Sequence, residues 1–371
     1  MRIVVIGATG NVGTAVIESL LAASEHEVVG VARRVPSFAT TACATGSEVG
    51  RRTVDVEWIG ADITVDALDF VRGADAVIHL AWQIQPVRDA AQLRRVNVEG
   101  TARVVRAVQR HRVPRLVIAS SVGAYAPGAG RHAVDETWPA TGIASSVYSR
   151  QKAEVETLLD SAELDAPDTT IVRLRTALVF GRRVASEIDR YFLGPLSPTK
   201  LIGKRRLPFV PLPRDLTLQA VHSADVGDAY RLAATQDVRG SFNVAAPDVL
   251  DADDLAQLLG GRRIIVPHAA MRYGAGLTHA LRLQRTSMGW VDLGLGVPTM
   301  DTARATTELQ WSPQHSARHA LCELLEGFRT RAGAGTPPLE PGPGGAAVAL
   351  GTYGWQCGDA RSHPNHIEER Q

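Results

Sequence analysis

Ile3-Val4-Val5-Ile6-Gly7-Ala8-Thr9-Gly10-Asn11-Val12-Gly13 joins an unbroken aliphatic run to three glycines spaced three apart. A run without alternation suits a strand buried on both faces of a parallel sheet. Downstream, Val16, Ile17, Leu20 and Leu21 recur at helical spacing. The glycines therefore fall on a strand-to-helix turn. There the first permits the tight turn, the second lets the backbone approach a pyrophosphate, and the third allows close helix–strand packing. The helix N-terminus then faces the phosphates. Gly7, Thr9, Gly10, Asn11, Val12 and Gly13 become candidate dinucleotide contacts, although the spacing is one residue longer at the front than G-x-G-x-x-G.

Glu27 to Ala32 reads as a second strand, ending at Arg33-Arg34. An acidic residue near this point would bind the ribose hydroxyls of NAD, and none stands between Val28 and Ser47. Arginines here can accept the 2′-phosphate of NADP, or be two solvated charges on a loop. The expectation is NADP, with NAD as the alternative. Pro36 to Arg52, rich in Thr, Ser, Gly and Ala, reads as a mobile loop.

Val54 to Ile59 predicts a third strand leading into Asp62 and Ile63. Asp62 can face an adenine or cap a helix from Thr64. Ala76 to Ala81 is a further strand whose small end residues, with Leu80 and Ala81, would let a cofactor lie against the backbone. His79 reads as a packed histidine. Trp82, Gln83 and Gln85 follow on the substrate side, and a long helix from about Arg88 to Arg110 carries Asn97. Leu116 to Ala119 forms a fifth strand that delivers Ser120-Ser121 to the crevice beyond the carboxyl ends of the strands.

Tyr148-Ser149-Arg150-Gln151-Lys152 places a phenol and an ammonium one helical turn apart. An ammonium beside a phenol stabilises its ionised form and lowers its pKa towards neutrality, which suits proton transfer to a substrate oxygen. Ser145 or Ser146 can cap this helix. Thr170 to Leu174 supplies a sixth strand. Strands alternating with helices at this spacing predict a doubly wound α/β domain.

The chain has 371 residues, with 40 basic and 39 acidic side chains and a formal net charge of +1. That balance argues for neither nucleic acid nor a membrane surface as partner. Cys43, Cys322 and Cys357 are too few and too scattered for a disulfide framework or a zinc cluster, so no metal is expected. A reducing, cytoplasmic setting fits.

In combination and in order, the glycine turn, His79-Leu80-Ala81, Val96-Asn97-Val98-Glu99-Gly100-Thr101, Ser120-Ser121-Val122-Gly123-Ala124-Tyr125, Tyr148 with Lys152, and Val221-His222-Ser223-Ala224-Asp225-Val226 resemble an extended short-chain dehydrogenase/reductase, also described as the NAD-dependent epimerase/dehydratase family. Asn243-Val244 and Glu308 to Pro313 also fit. The resemblance spans about residues 1–330. It implies a Rossmann domain over 1–180 and a smaller C-terminal α/β substrate lobe over 181–331, interleaved with the end of the sheet. It also implies that Tyr148 is the acid/base, that Lys152 holds the nicotinamide ribose and lowers the tyrosine pKa, and that Ser121 hydrogen-bonds the substrate oxygen. Asn97 matches a position near the site, with helix packing as its other role. Ala126 replaces the usual glycine after Tyr125.

The activity so implied is hydride transfer at a carbonyl or secondary alcohol. Nucleotide-sugar epimerisation with a retained cofactor is the alternative, and a non-catalytic dinucleotide sensor is a third reading. From Gly181 to Arg214, eight basic residues stand against Glu187 and Asp189. They read as an arm for an anionic small-molecule substrate or as a solvated basic loop. His315 and His319, four apart, read as a surface pair, with neither a carboxylate nor a third histidine to make a metal site. Helices near 88–110 and 145–164 would pair two copies in a homodimer. Residues 332–371, rich in Gly and Pro, predict a disordered tail.

Overall fold

The computed structural model describes residues 1–23, 25–36, 56–84, 89–128, 132–193 and 209–341. The loop expected over 36–52 and the tail beyond 341 therefore lie outside the described residues, apart from Pro36.

The first half alternates as the hydrophobic pattern requires. Strand β1 (Arg2–Ile6) leads to helix α1 (Asn11–Ala22), then β2 (Glu27–Ala32), β3 (Val56–Gly60) and β4 (Ala76–His79). Helix α2 (Ala90–Arg94) runs through a π-helical stretch, Arg95–Gly100, into α3 (Thr101–Arg110). Strand β5 (Arg115–Ser121), α4 (Val147–Asp165) and β6 (Thr170–Thr176) follow. The second half holds β7 (Leu178–Phe180), α5 (Ala185–Ile188), β8 (Phe209–Leu212), β9 (Thr217–His222), α6 (Ser223–Thr235), β10 (Gly240–Val244), β11 (Val249–Asp251), α7 (Ala252–Leu258) and β12 (Arg262–Ile265). Helices α8 (His268–Ala280), α9 (Met288–Gly296), α10 (Ala303–Thr307) and α11 (Ala317–Thr330) close the described chain.

The central sheet has seven strands in the order β10-β6-β5-β4-β1-β2-β3. All its pairings are parallel. The order reverses between β1 and β4, which places a ligand crevice at the carboxyl ends of those strands. One face of the sheet buries Val16 and Leu20 of α1 against Val226, Ala229, Tyr230 and Ala233 of α6. Gly227 permits that approach, since a Cβ there would lie 2.5 Å from the Ala15 carbonyl oxygen. The other face buries Val104, Val105 and Val108 of α3 and Val155, Leu159 and Ala162 of α4.

A three-stranded sheet, β11-β9-β7, and a two-stranded sheet, β12-β8, stand beside the central one. Strand β10 returns from this second half to pair with β6, through Gly240–Val172 to Val244–Thr176. The C-terminal segment also departs from the expected tail. Ala332, Ala334 and Leu339 are buried, and a short 3-10 turn spans Pro337–Leu339. The departure is confined to residues 332–341, whose apolar side chains pack against the rest of the chain. Ser186 Oγ, for instance, donates to the Leu339 carbonyl at 3.1 Å. No helix among the described residues is long and apolar enough to cross a membrane.

Candidate active site

The glycine turn is built as its spacing demands. Gly7 has φ +91°, and a Cβ there would lie 2.7 Å from the Ala81 nitrogen. A Cβ at Gly13 would sit 2.2 Å from the Gly7 carbonyl oxygen, so only glycine lets α1 close on the strand end. Gly10 is different: a Cβ would meet only the Gly7 oxygen, at 3.6 Å. Gly10 also precedes α1 without a side-chain cap, leaving the first helical amides for an anion. Thr9 and Asn11 are buried, and Val12 packs on the core, so side chains hold the turn and its backbone is the binding surface. This cradle fits a dinucleotide pyrophosphate.

At the adenine end, Arg33 and Arg34 are both exposed just beyond β2. No helix starts at Thr64. Asp62 instead closes a turn, accepting from the Thr64 amide at 2.8 Å and the Thr64 hydroxyl at 2.7 Å. Partial burial raises its pKa, but the Thr64 bonds and the charges of Arg33 and Arg103 outweigh this and hold it low. Ile63 is a core residue whose Cδ1 would be 2.8 Å from a Cβ at Gly100.

The segment after β4 links the glycine turn to the helix that carries Tyr148 and Lys152. The Leu80 amide donates to the Ile6 carbonyl at 2.8 Å, and Ala81 abuts Gly7. Asn97, fully buried in the π-helical stretch, clamps the next residue. Its Oδ1 accepts from the Gln83 amide at 2.7 Å, and its Nδ2 donates to the Gln83 carbonyl at 2.9 Å. The same Nδ2 reaches Gln151 Oε1 of α4 at 2.9 Å. One side chain thus fixes the loop after β4 against the helix that carries Tyr148 and Lys152, which the helix-packing reading did not foresee. Gln85 lies outside the described residues. His79 is packed as expected, with Nε2 at 2.9 Å from Thr101 Oγ1 and burial pushing it down to about 3.

Ser146 caps α4, accepting from the Ser149 amide at 3.4 Å. Tyr148 then lies over Gly123, where a Cβ would be 2.8 Å from its Cε1. The phenol is not depressed as the spacing suggested. Desolvation raises the tyrosine pKa above its ordinary value, with the neighbouring Ser121 side chain opposing the rise. The ammonium is turned elsewhere: Lys152 Nζ donates to the Ala119 carbonyl at 2.7 Å and lies 3.5 Å from the Trp82 ring centroid. Its distance to the Tyr148 ring centroid is 5.8 Å. Burial pushes Lys152 down to about 7, against the pull of Glu156.

Beneath this pair is a charged cluster that sequence reasoning missed. Glu156, one turn beyond Lys152, is buried with Arg173 and Arg175 of β6. Arg175 bonds it through Nε at 3.0 Å and Nη2 at 2.9 Å, and Arg173 through Nη1 at 3.0 Å. Ser120 Oγ donates to it at 2.5 Å. Burial raises the Glu156 pKa, but these partners outweigh it and bring the carboxyl to about 2. Arg175 also donates to Tyr125 Oη at 3.1 Å, and Tyr125 donates to Asn243 Oδ1 at 2.7 Å. The available signal was two arginines inside an otherwise apolar central strand, which require a buried partner.

Above the pair, aromatic rings enclose Tyr148. Trp82 meets it edge-on at 5.9 Å and Trp290 of α9 lies tilted at 5.2 Å; Phe192 packs against Trp290 at 4.9 Å. A cavity of about 280 Å³ opens beside Tyr148, lined by Ile84, Leu93, Gln151, His279, Arg285 and Trp290 among others. Helix α9 reaches α4 because Gly289 has no side chain; a Cβ would lie 2.5 Å from the Ser145 carbonyl oxygen.

The basic arm read over 181–214 is differently employed where it is described. Arg183 is buried in a two-pronged pair with Glu18, at 2.7 and 2.5 Å. Arg182 pairs with Glu326 at 3.9 Å, and Arg190 donates to the Pro338 carbonyl. Arg214 is exposed, and Lys200, Lys204, Arg205 and Arg206 lie outside the described residues. His315 and His319 are not the isolated pair expected. The fold brings His222, Asp225 and Glu323 to them, with His222 4.2 Å from His315 between ring centroids. Each imidazole is engaged by a carboxylate: His222 with Glu323 at 3.1 Å, His315 with Asp225 at 3.0 Å and His319 with Glu323 at 3.5 Å. No group of three metal-binding side chains is found among the described residues. The face of α2 and α4 expected to pair two copies carries Arg94 bonded to Glu99 at 2.7 Å and to Glu154.

Solved structures share the fold. The UDP-glucose 4-epimerase of Thermotoga maritima, determined with UDP-glucose, superposes with a TM-score of 0.66 at 18% identity, over 89% of this chain and 99% of that one. The UDP-glucose 4-epimerase of Thermus thermophilus in complex with NAD gives 0.62 at 20% identity, over 89% and 99%. In sequence, the uncharacterized protein Rv0501 of Mycobacterium tuberculosis is 26% identical over 302 residues, covering 78% of this chain and 76% of that protein. A shorter match, 36% identical over 107 residues, links 28% of the chain to 30% of the decarboxylating sterol-4-alpha-carboxylate 3-dehydrogenase of Schizosaccharomyces pombe. The family described as NAD dependent epimerase/dehydratase matches residues 3–245, and with its glycine cradle and seven-stranded parallel sheet the chain belongs to that family of enzymes.

Proposed function

We propose that this enzyme is an NAD(P)-dependent oxidoreductase that transfers a hydride at a carbonyl or secondary alcohol, with Tyr148 as acid/base. The carrying observation is that Tyr148 lies over Gly123, whose amide donates to Ser121 Oγ at 3.0 Å, with Lys152 one turn further on, beside a loop that also abuts Gly7. The backbone at Gly7, Gly10 and Gly13, with Asn11 and the residues from Leu80 to Ala81, would hold the dinucleotide, and Lys152 its nicotinamide ribose. The bound nicotinamide supplies or accepts the hydride. In the reducing direction Tyr148 gives its proton to the substrate oxygen, which Ser121 orients; in the oxidising direction it takes the alcohol proton. A phenol held above its ordinary pKa stays protonated at neutral pH, which suits the donor role. Aromatic rings around the phenol favour a substrate with an apolar face next to the reacting carbon.

Arg33 and Arg34 would read the 2′-phosphate of NADP, since no carboxylate follows β2 in the sequence up to Ser47. Replacing both with alanine should weaken NADP by about tenfold or more and NAD little, a difference of about 1.4 kcal/mol. Equal effects on the two would make them surface charges.

Tyr148→Phe should keep near-normal cofactor affinity while lowering turnover by about 10²- to 10⁴-fold. Unchanged turnover would remove Tyr148 from the chemistry. The family name and the folds it shares also allow epimerisation. An oxidised cofactor that copurifies and does not exchange between turnovers would establish that reading, whereas freely exchanging NADPH supports the reductase.

A further inference from the structure

Helix α8 is the described helix of comparable length that buries none of its residues. Tyr273, Leu277 and Leu281 follow one another at four-residue spacing, so they form one stripe along it. They are 65%, 62% and 60% exposed. Ile264 and Ile265 of β12, just before the helix, and Leu283 and Met288, just after it, are exposed too. A stripe of large exposed apolar side chains along one helix marks an interaction surface.

The charge of the same segment identifies its partner. From Leu255 to Val291 the sequence contains five arginines and not one Asp or Glu. Arg263 and Arg272 are paired to Asp253 and Asp292, outside that run. Arg262 of β12 and Arg282, just after α8, are exposed. A second copy of this chain, docked symmetrically on this face, would bring exposed arginines together, while the carboxylates nearest them, Asp215, Asp253 and Asp292, are already engaged by His268, Arg263 and Arg272. An anionic bilayer supplies both complements, phosphates for the guanidinium groups and an apolar layer for the leucines.

We propose that the β12–α8–α9 segment docks the protein on the surface of an anionic lipid bilayer, with Tyr273, Leu277 and Leu281 entering the headgroup boundary and Arg262 and Arg282 binding phosphates. This is attachment to a surface and needs no spanning segment. The whole-chain charge balance hides it, since all but one of the acidic residues lie outside the segment. The docking element is also a wall of the cavity beside Tyr148, through His279, Arg285 and Trp290.

Flotation of the full chain with vesicles tests this. Vesicles of phosphatidylcholine containing phosphatidylglycerol should carry the protein upward, pure phosphatidylcholine vesicles should carry at least tenfold less, and added salt should release it. Leu277→Glu combined with Leu281→Glu should reduce flotation at least tenfold. A Leu277→Trp variant gives a second readout: its fluorescence should shift to the blue and be quenched by brominated lipid in the anionic vesicles. The proposal is overturned if the protein fails to float with anionic vesicles, or if the double variant keeps its thermal midpoint and floats as well as the parent. It is equally overturned if the Leu277→Trp emission is unchanged by vesicles. A concentration-dependent dimer abolished by the double variant, without vesicle binding, would assign the face to a second copy instead.

Discussion

Two regions enclose Tyr148, and they are built on opposite principles. Beneath it, Glu156, Arg173, Arg175 and Ser120 are buried and mutually bonded on β5, β6 and α4. Above it, α8 buries nothing and α9 buries only Leu293. The lower region is fixed by charge pairs that tolerate little displacement. The upper region meets the phenol through the Trp290 ring, which holds shape with far less directional constraint. On the proposed function, such a division would let substrate preference change in the upper region while the acid/base geometry below stays fixed.

The largest effect should come from breaking the lower region. Glu156→Gln leaves two buried guanidinium groups without their carboxylate, which should cost about 3–5 kcal/mol of unfolding free energy. Denaturant titration checks the magnitude. The sign of its pH dependence follows from the depressed carboxyl. The Glu156 contribution is complete above the ordinary glutamate value of 4.5 and is lost as pH falls through about 2. Stability of the parent should therefore fall over that acid window, and the Gln variant should lack this portion of the slope. A variant with the parent's stability and slope would mean that the cluster is not the rigid floor described.

Legibility divides along the same line. The glycine turn, the succession of the first six strands and a serine cap at Ser145 or Ser146 were readable because each depends on local spacing or hydrophobic period. The inward face of α6 follows the same helical period, with Val226, Ala229, Tyr230 and Ala233 all buried. Contacts between distant segments were not readable. The clamp of Asn97 on Gln83, the seat of Lys152 on Trp82 and the meeting of His222 with His315 depend on the assembled sheet. Helices α8 and α9 left no firm pattern because Gly274, Gly276, Gly289, Gly294 and Gly296 interrupt them. Two of these glycines are explained by packing: a Cβ at Gly276 would lie 2.7 Å from Met288 Cγ, and Gly289 abuts Ser145. The basic arm was misread where Arg183 meets Glu18, since a sequence shows charge but not which charge is already paired.

A smaller effect should appear where the two regions meet. Gly123 lies under Tyr148, and a Cβ there would be 2.8 Å from Tyr148 Cε1 and 3.4 Å from Leu293 Cδ1. Gly123→Ala should cost about 1–3 kcal/mol through overpacking. It should also move the phenol relative to Ser121, so turnover should fall while cofactor affinity, set at the glycine turn, is retained. Thermal unfolding and cofactor titration separate the two consequences. Loss of cofactor binding together with turnover would show that the strain spreads into the sheet, and the upper and lower regions would then be one mechanical unit.

The smallest effect belongs to the outer face of the upper region. Leu277 is 62% exposed, so Leu277→Ala removes little buried surface and should change stability by no more than about 0.5 kcal/mol. Leu159, fully buried on α4 beneath the site, is the matched control, for which the same truncation should cost about 2–5 kcal/mol. Because both are leucines on helices, the ratio of the two losses measures burial and little else. A Leu277→Ala loss close to that of Leu159→Ala would mean that the stripe on α8 is covered in the folded chain, and the contrast between a fixed floor and an open outer face would fail at its weakest point.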